Sequence, residues 1–212
     1  MKSYKIHLIR HGLTEANQKG QYVGVSDIGI TTDSIIELKA LRTSCRYPQA
    51  GLFYVSPLAR CVETLRVLYP EAKAIAVPEL REMHFGAFEG KTAYELQDDP
   101  DYRAWTSGKI AAPPGGESTA ELTARVAEGF SAVVRHLMSS GEREAVVITH
   151  GGIIMNLLAS CALPQQPAAF WRCDPGCGYT LRITPTVFLR SGVAEVVGPV
   201  PEREGERQER PN

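Results

Sequence analysis

The chain has 212 residues, 43% of them hydrophobic, with 23 basic and 24 acidic side chains and a formal net charge of -1. That length suits one domain, placed here at 1–200, and the apolar content is enough for a sizeable core. Balanced charge argues against a nucleic-acid footprint or a polybasic membrane anchor, and no stretch approaches the ~20 apolar residues that a bilayer span needs.

The N-terminal "MKSYKIHLIRHG" holds too short an apolar run for a signal peptide. A soluble, cytoplasmic protein is therefore predicted. Five scattered cysteines, Cys45, Cys61, Cys161, Cys173 and Cys177, favour free thiols in a reducing compartment. The one close pair, in "CDPGC", reads as two residues flanking a Pro-Gly turn, because no second Cys/His cluster completes a zinc site.

In chain order, "YKIHLI" reads as a first strand and "LFYVS" as a second, with Ser56-Pro57 as a helix start. "AIAV" is a short third strand. Between Phe85 and Gly116, "DDPDY" and "APPGGES" bring the punctuation of loops, and this insertion (about 85–116) is read as a loop and helix cap over a site. From Ser118, apolar residues recur at helical spacing through Leu122, Val126, Phe130, Val133, Val134 and Leu137, and Ser118 with Glu121 matches a capping box. "AVVIT" has the unbroken apolar run of a strand buried on both faces, and "GIIMNLLASCAL" follows as a buried helix. "YTLRI", with either "VFLR" or "AEVVG", completes the sheet. The tail from Pro201, residues 201–212, lacks apolar side chains and is predicted to be disordered. This alternation predicts an α/β fold: a three-layer sandwich with a largely parallel central sheet, helices on both faces and the cap insertion.

Two of these strands run into a histidine followed by glycine, "LIRHG" at His11 and "VITHGG" at His150. Ligands of open α/β sheets sit beyond the carboxyl ends of strands, so both histidines are expected on one rim. Arg10 precedes His11, and "SPLAR" delivers Arg60 near the start of the helix after the second strand. Guanidinium groups match phosphate oxygens in bidentate fashion, and Gly151 opens a helix whose N-terminal N–H groups suit an anion. There is no Walker-type loop and no Asp-rich metal triad, so neither a cofactor nor a metal is expected. Metal-free phosphoryl transfer needs a nucleophile, cations around the phosphoryl group and a proton donor for the leaving oxygen. A neutral imidazole can be the nucleophile. "ELREMHFGAFEG" offers Glu82 and Glu89 as donors, whereas His7, His84 and His136 are read as unrelated to the chemistry.

With "LIRHGLTEAN", "GVSDIGIT", "VSPLARCVET", "LREMHFGAFEG", "GGES" and "VITHGGIIM" in this order, the chain resembles the histidine phosphatase superfamily, also called phosphoglycerate-mutase-like. The resemblance implies a histidine acid phosphatase-type phosphoric monoester hydrolase with His11 as the phosphorylated nucleophile. Arg10, Arg60 and His150 would clamp the phosphoryl oxygens, Asn17 would add a hydrogen bond, and Glu82, or Glu89 in its stead, would move the proton. Compact members resemble α-ribazole phosphatases of cobalamin biosynthesis or broad-specificity phosphatases. A small phosphorylated metabolite is thus the expected partner, α-ribazole 5'-phosphate the first candidate, and a homodimer compatible with the sequence. The alternatives are a phosphoglycerate mutase and a phospho-ligand-binding protein without turnover. Leu13 replaces a common glutamate after Arg-His-Gly, and Gly29, Ile30 and Ser34 depart from the usual Pro-Leu-Thr and later glycine. These departures bear on substrate preference.

Overall fold

The computed structural model describes residues 3–202. Its elements are β1 (Tyr4–Arg10), α1 (Glu15–Gln18), α2 (Thr32–Ser44), β2 (Leu52–Val55), α3 (Ala59–Leu68), β3 (Ala74–Ala76), α4 (Ala93–Leu96), α5 (Pro100–Thr106), α6 (Thr119–Ser140), β4 (Glu144–Thr149), α7 (Gly151–Cys161), β5 (Ala162–Leu163), β6 (Gly178–Ile183), α8 (Pro185–Ser191) and β7 (Ala194–Val200). The strands form one seven-stranded sheet in the order β3-β2-β4-β1-β6-β7-β5. The pairings β2 with β3, β2 with β4, β1 with β4 and β5 with β7 are parallel, and only those made by β6 are antiparallel.

The α/β fold with a mostly parallel sheet is as the sequence predicts. Side-chain alternation divides the core between the two faces of the sheet. Ile6, Leu8, Ala145 and Val147 pack with α6 and α7 through Val126, Phe130, Leu137, Ile153 and Leu157. On the other face, Ile9, Val146 and Ile148 pack with Leu38 of α2 and with Cys61, Leu65 and Leu68 of α3. β4 is central, and Ala145, Val146, Val147 and Ile148 are all fully buried, which explains its unbroken apolar run. The capping box at the start of α6 is formed as predicted, with the Ser118 hydroxyl accepting from the Glu121 N–H and the Glu121 carboxylate accepting from the Ser118 N–H.

Two local readings differ. "VFLR" is helical: Pro185 starts α8 and Gly192 ends it in a left-handed conformation, so the last long strand is the later "AEVVGPV". Ser56 does not cap α3, whose N-cap is Leu58 with no side-chain cap bond. Its hydroxyl is used elsewhere, as shown below. Of the polar tail, Glu202 pairs with Arg46 through reciprocal N–H to C=O bonds of 3.0 Å, while residues 203–212 lie outside the described residues.

The segment from Phe85 to Gly116 carries a 3-10 turn (Gly86–Phe88), α4 and α5. Phe85, Phe88, Tyr102 and Trp105 from it cluster with Tyr22. Arg125 of α6 ties this segment down. Its guanidinium donates to both carboxylate oxygens of Glu117 and to the carbonyls of Glu79 and Arg81. Among the described residues, no helix is long and apolar enough to cross a membrane.

Leu137 is fully buried where α6 meets the sheet. Leu137→Ala is expected to cost about 2–5 kcal/mol, read from urea unfolding, by lost burial plus the cavity left behind. A loss below about 1 kcal/mol would contradict this packing.

Candidate active site

Parallel pairing of β1 with β4 sets the site. The register aligns Arg10 with Thr149, and the His11 N–H donates to the Thr149 carbonyl at 2.9 Å. The next residues on the two strands, His11 and His150, therefore emerge side by side, with ring centroids 5.1 Å apart and planes at 67°. The two histidines share one rim.

His11 is 5% exposed. Its Nδ1 lies 2.6 Å from the Gly12 carbonyl oxygen. A carbonyl only accepts, so Nδ1 carries the proton and the lone pair sits on Nε2. Burial first, then the nearby Arg60 and Arg10 cations, push its pKa down to about 3, with the Gly12 carbonyl pulling the other way. The loop behind it is held at two points: Gly12 N–H donates to Thr64 Oγ1 at 2.9 Å, and Leu13 N–H to Ser34 Oγ at 2.7 Å.

Arg60, in the first turn of α3, is 1% exposed. Its Nη1 donates to the Ser26 carbonyl at 2.9 Å, its Nη2 to the Gly24 carbonyl at 2.7 Å and its Nε to His150 Nδ1 at 3.2 Å. Each terminal nitrogen keeps a further N–H. His150 is fully buried. Because Nδ1 accepts from Arg60, neutral His150 carries its proton on Nε2 and donates to Ser56 Oγ at 2.8 Å. Burial, His11 and Arg60 keep this ring well below the ordinary histidine range. Both of its nitrogens are thus engaged inside the protein. A phosphate that takes the Nε2 proton must displace Ser56.

Arg10 donates through Nη1 to the Cys173 carbonyl at 2.8 Å, while its buried Nε has no partner. A Cβ placed on Gly151, the first residue of α7, would lie 3.2 Å from that Nε. An orphaned guanidinium N–H beside the N-terminus of an eleven-residue helix is a place for an anion.

The two candidate carboxylates are separated by their partners. Glu82 accepts from Met83 N–H at 3.0 Å and from Gly152 N–H at 3.2 Å. Burial raises its pKa above the usual carboxylate range despite those two donors and the Arg60 charge. A Cβ on Gly152 would meet Glu82 Oε1 at 2.6 Å, so the missing side chain is what lets the carboxylate reach the helix. Glu89 is also partly desolvated, but the Ser26 hydroxyl at 2.6 Å and the N–H groups of Phe85, Gly24 and Val25 outweigh that and lower its pKa. Glu89 is an ionised fastener between the 24–26 loop and the cap segment.

Asn17 closes a capping box on α1, its Oδ1 accepting from Thr14 N–H at 3.2 Å, which leaves Nδ2 to donate. The remaining histidines lie elsewhere in the bonding network: His7 with Thr180 and Glu144, His136 with Tyr54, and His84 Nδ1 accepting from Gly86 N–H. None of the five cysteines is in a disulfide. Among the described residues, no group of three or more His, Cys, Asp or Glu is arranged to hold a metal ion. A cavity of about 940 Å³, lined by Arg42, Tyr47, Phe53 and Tyr69 among others, contains none of the predicted site residues. Ser56, Thr64 and Glu89 were not assigned these roles from sequence, and nothing in their spacing signals them.

The family model for the histidine phosphatase superfamily (branch 1) matches residues 6–189, and the chain belongs to that family. It is 31% identical over 180 residues to the adenosylcobalamin/alpha-ribazole phosphatase of Salmonella typhimurium, covering 82% of this chain and 87% of that one. It is 28% identical to a 2,3-bisphosphoglycerate-dependent phosphoglycerate mutase of Rhizobium etli, covering 71% and 76%. Among solved structures, the alpha-ribazole phosphatase from Shigella flexneri superposes with a TM-score of 0.76 at 27% identity, covering 91% of this chain and 94% of that one.

Neutral, buried His11 has a consequence for stability. On unfolding its pKa returns towards 6.5, so between that value and about 3 the unfolded chain binds a proton that the folded one refuses. Its contribution is fully present above 6.5 and is lost as pH falls through this window. His11→Asn is expected to lose less stability than the parent between about pH 7.5 and about pH 5 in urea melts. Equal losses would contradict a histidine held neutral there.

Proposed function

We propose that the protein is a metal-independent phosphomonoesterase that works through a phosphohistidine on His11, with α-ribazole 5'-phosphate as its first candidate substrate. The observation that carries this reading is the pairing of an unprotonated His11 Nε2, which has no hydrogen-bond partner among the described residues, with the orphaned Arg10 Nε on the same rim. A nucleophile and an anion donor are both left without partners.

In the first step Nε2 attacks phosphorus and the bond to the leaving oxygen breaks, while Glu82, whose pKa burial raises, gives a proton to that oxygen. The ring gains positive charge as the P–N bond forms, and the Nδ1–H to Gly12 carbonyl bond is placed to stabilise it. Arg10 and Arg60 take the charge of the phosphoryl oxygens. In the second step the Glu82 carboxylate removes a proton from water, the water oxygen attacks phosphorus and the P–N bond breaks. Inorganic phosphate leaves, and both residues return to their starting states. His150 acts behind Arg60, holding its Nε, and Asn17, whose Oδ1 is engaged with Thr14 N–H, keeps its Nδ2 as a further donor. Five cysteines outside any disulfide support a cytoplasmic setting.

The substrate assignment rests on the phosphatase relatives named above. A mutase relative also matches, and 3-phosphoglycerate separates the two readings. Release of inorganic phosphate is expected, and accumulation of 2-phosphoglycerate would support the mutase. A binding protein without turnover would need neither the neutral nucleophile nor the raised Glu82.

His11→Ala is expected to abolish hydrolysis of an aryl phosphate without added metal, and activity near that of the parent would overturn the proposal. Loss of one clamp arginine, as in Arg10→Ala, is expected to cost about 10²–10³ in rate. Glu82→Gln should cost about 10²–10⁴ with alkyl phosphates and far less with an aryl phosphate whose leaving group needs no proton. Equal losses on the two substrate types would remove Glu82 from the proton-transfer role.

A further inference from the structure

The "CDPGC" turn remains to be accounted for, since no disulfide joins its cysteines and, among the described residues, no group of three or more metal-ligating side chains includes it. It wraps Arg10. β1 pairs with β6 as far as Ile9 opposite Gly178, and the turn carries that pairing one residue further. Arg10 N–H donates to the Cys177 carbonyl at 2.9 Å, and Gly176 N–H donates to the Arg10 carbonyl at 2.9 Å. The carbonyl of Cys173, at the other side of the turn, accepts from Arg10 Nη1 at 2.8 Å. One short turn thus grips both the backbone and the guanidinium of the same residue.

The turn is also anchored from its far side. Tyr47, 6% exposed, donates its hydroxyl to the Gly176 carbonyl at 2.7 Å. Gly176 has φ +73, and a Cβ there would lie 2.6 Å from Leu38 Cδ2 and 3.2 Å from the Tyr47 hydroxyl oxygen. Only glycine takes that conformation and that approach cheaply. The connection then runs through consecutive hydrogen bonds, from the Tyr47 hydroxyl to Gly176, from Gly176 to Arg10, and from Arg10 Nη1 back to Cys173. It ends at a guanidinium whose buried Nε has no partner.

We propose that Tyr47 is a positioning residue for catalysis: by pinning the 173–177 turn it fixes the direction in which Arg10 presents its free Nε–H to the phosphoryl group. Tyr47 lies in the chain between the end of α2 and the start of β2, and its hydroxyl acts through Arg10. This rests on the phosphatase reading, because it assumes that Arg10 binds the transferred group.

The chosen probe is orthovanadate, a phosphate mimic, used as an inhibitor of aryl phosphate hydrolysis by the whole protein. Tyr47→Phe keeps the ring and deletes the hydroxyl. It is expected to weaken vanadate inhibition about 3- to 10-fold and to lower kcat by a similar factor, which is the scale of one hydrogen bond. Tyr54→Phe is the control, since it deletes a buried hydroxyl bonded to His136 at 2.8 Å with no route to Arg10. It should leave vanadate inhibition unchanged even where its Tm shift matches that of Tyr47→Phe. In an Arg10→Ala background, Tyr47→Phe should change vanadate inhibition less than about twofold, since the two residues act as a unit. Undiminished inhibition in Tyr47→Phe, or the same loss with and without Arg10, would overturn the positioning role and leave the phosphatase reading standing. A parent protein that vanadate does not inhibit would overturn both.

Discussion

The site depends on β1 and β4 running parallel and ending together. Their register puts Arg10 opposite Thr149 and ties the His11 N–H to the Thr149 carbonyl, so the chain can turn outward only with His11 beside His150. The pairing is secure because β4 is buried on both faces and β1 beside it contributes Ile6, Leu8 and Ile9 to the two cores. A one-residue slip would turn those apolar side chains to the opposite faces and would also separate the imidazoles. The core and the chemistry are therefore selected by the same register.

Around that rim, burial lowers the pKa of the histidines and raises that of Glu82. Desolvation penalises the charged form of every group, so His11 and His150 are kept neutral while the pKa of Glu82 is raised. Arg60 opposes the second effect, yet it reinforces the first. An imidazole that holds no proton at Nε2 and a carboxyl group with raised proton affinity are the complementary pair that acid-assisted phosphoryl transfer asks for. Glu89 shows what the same residue type does with more donors: the Ser26 hydroxyl and surrounding N–H groups keep it ionised, and it becomes a fastener.

Much of this could be read from sequence because it is written in local signals. The unbroken "AVVIT" run, the Ser118 to Glu121 box and the two His-Gly strand ends each correspond to an observed element. What escaped the reading is set by partners distant along the chain. Ser56 before proline looks like a helix cap, but its hydroxyl serves His150, 94 positions away. Glu82 and Glu89 both sit in "ELREMHFGAFEG", and their partners distinguish them: the start of α7 for Glu82 and the 24–26 loop for Glu89. "VFLR" has strand-like composition, and the proline and glycine that bracket it made it α8. Ser34, noted as a departure from the family pattern, proved to accept the Leu13 N–H behind the nucleophile.

A crystal structure of the protein with orthovanadate tests the central geometry most directly. The account predicts vanadium bonded to His11 Nε2, with Arg10 Nε within hydrogen-bonding distance of a vanadate oxygen and Nδ1 still on the Gly12 carbonyl. Vanadate bound away from His11, or attached through Nδ1 with Arg10 turned aside, would contradict it.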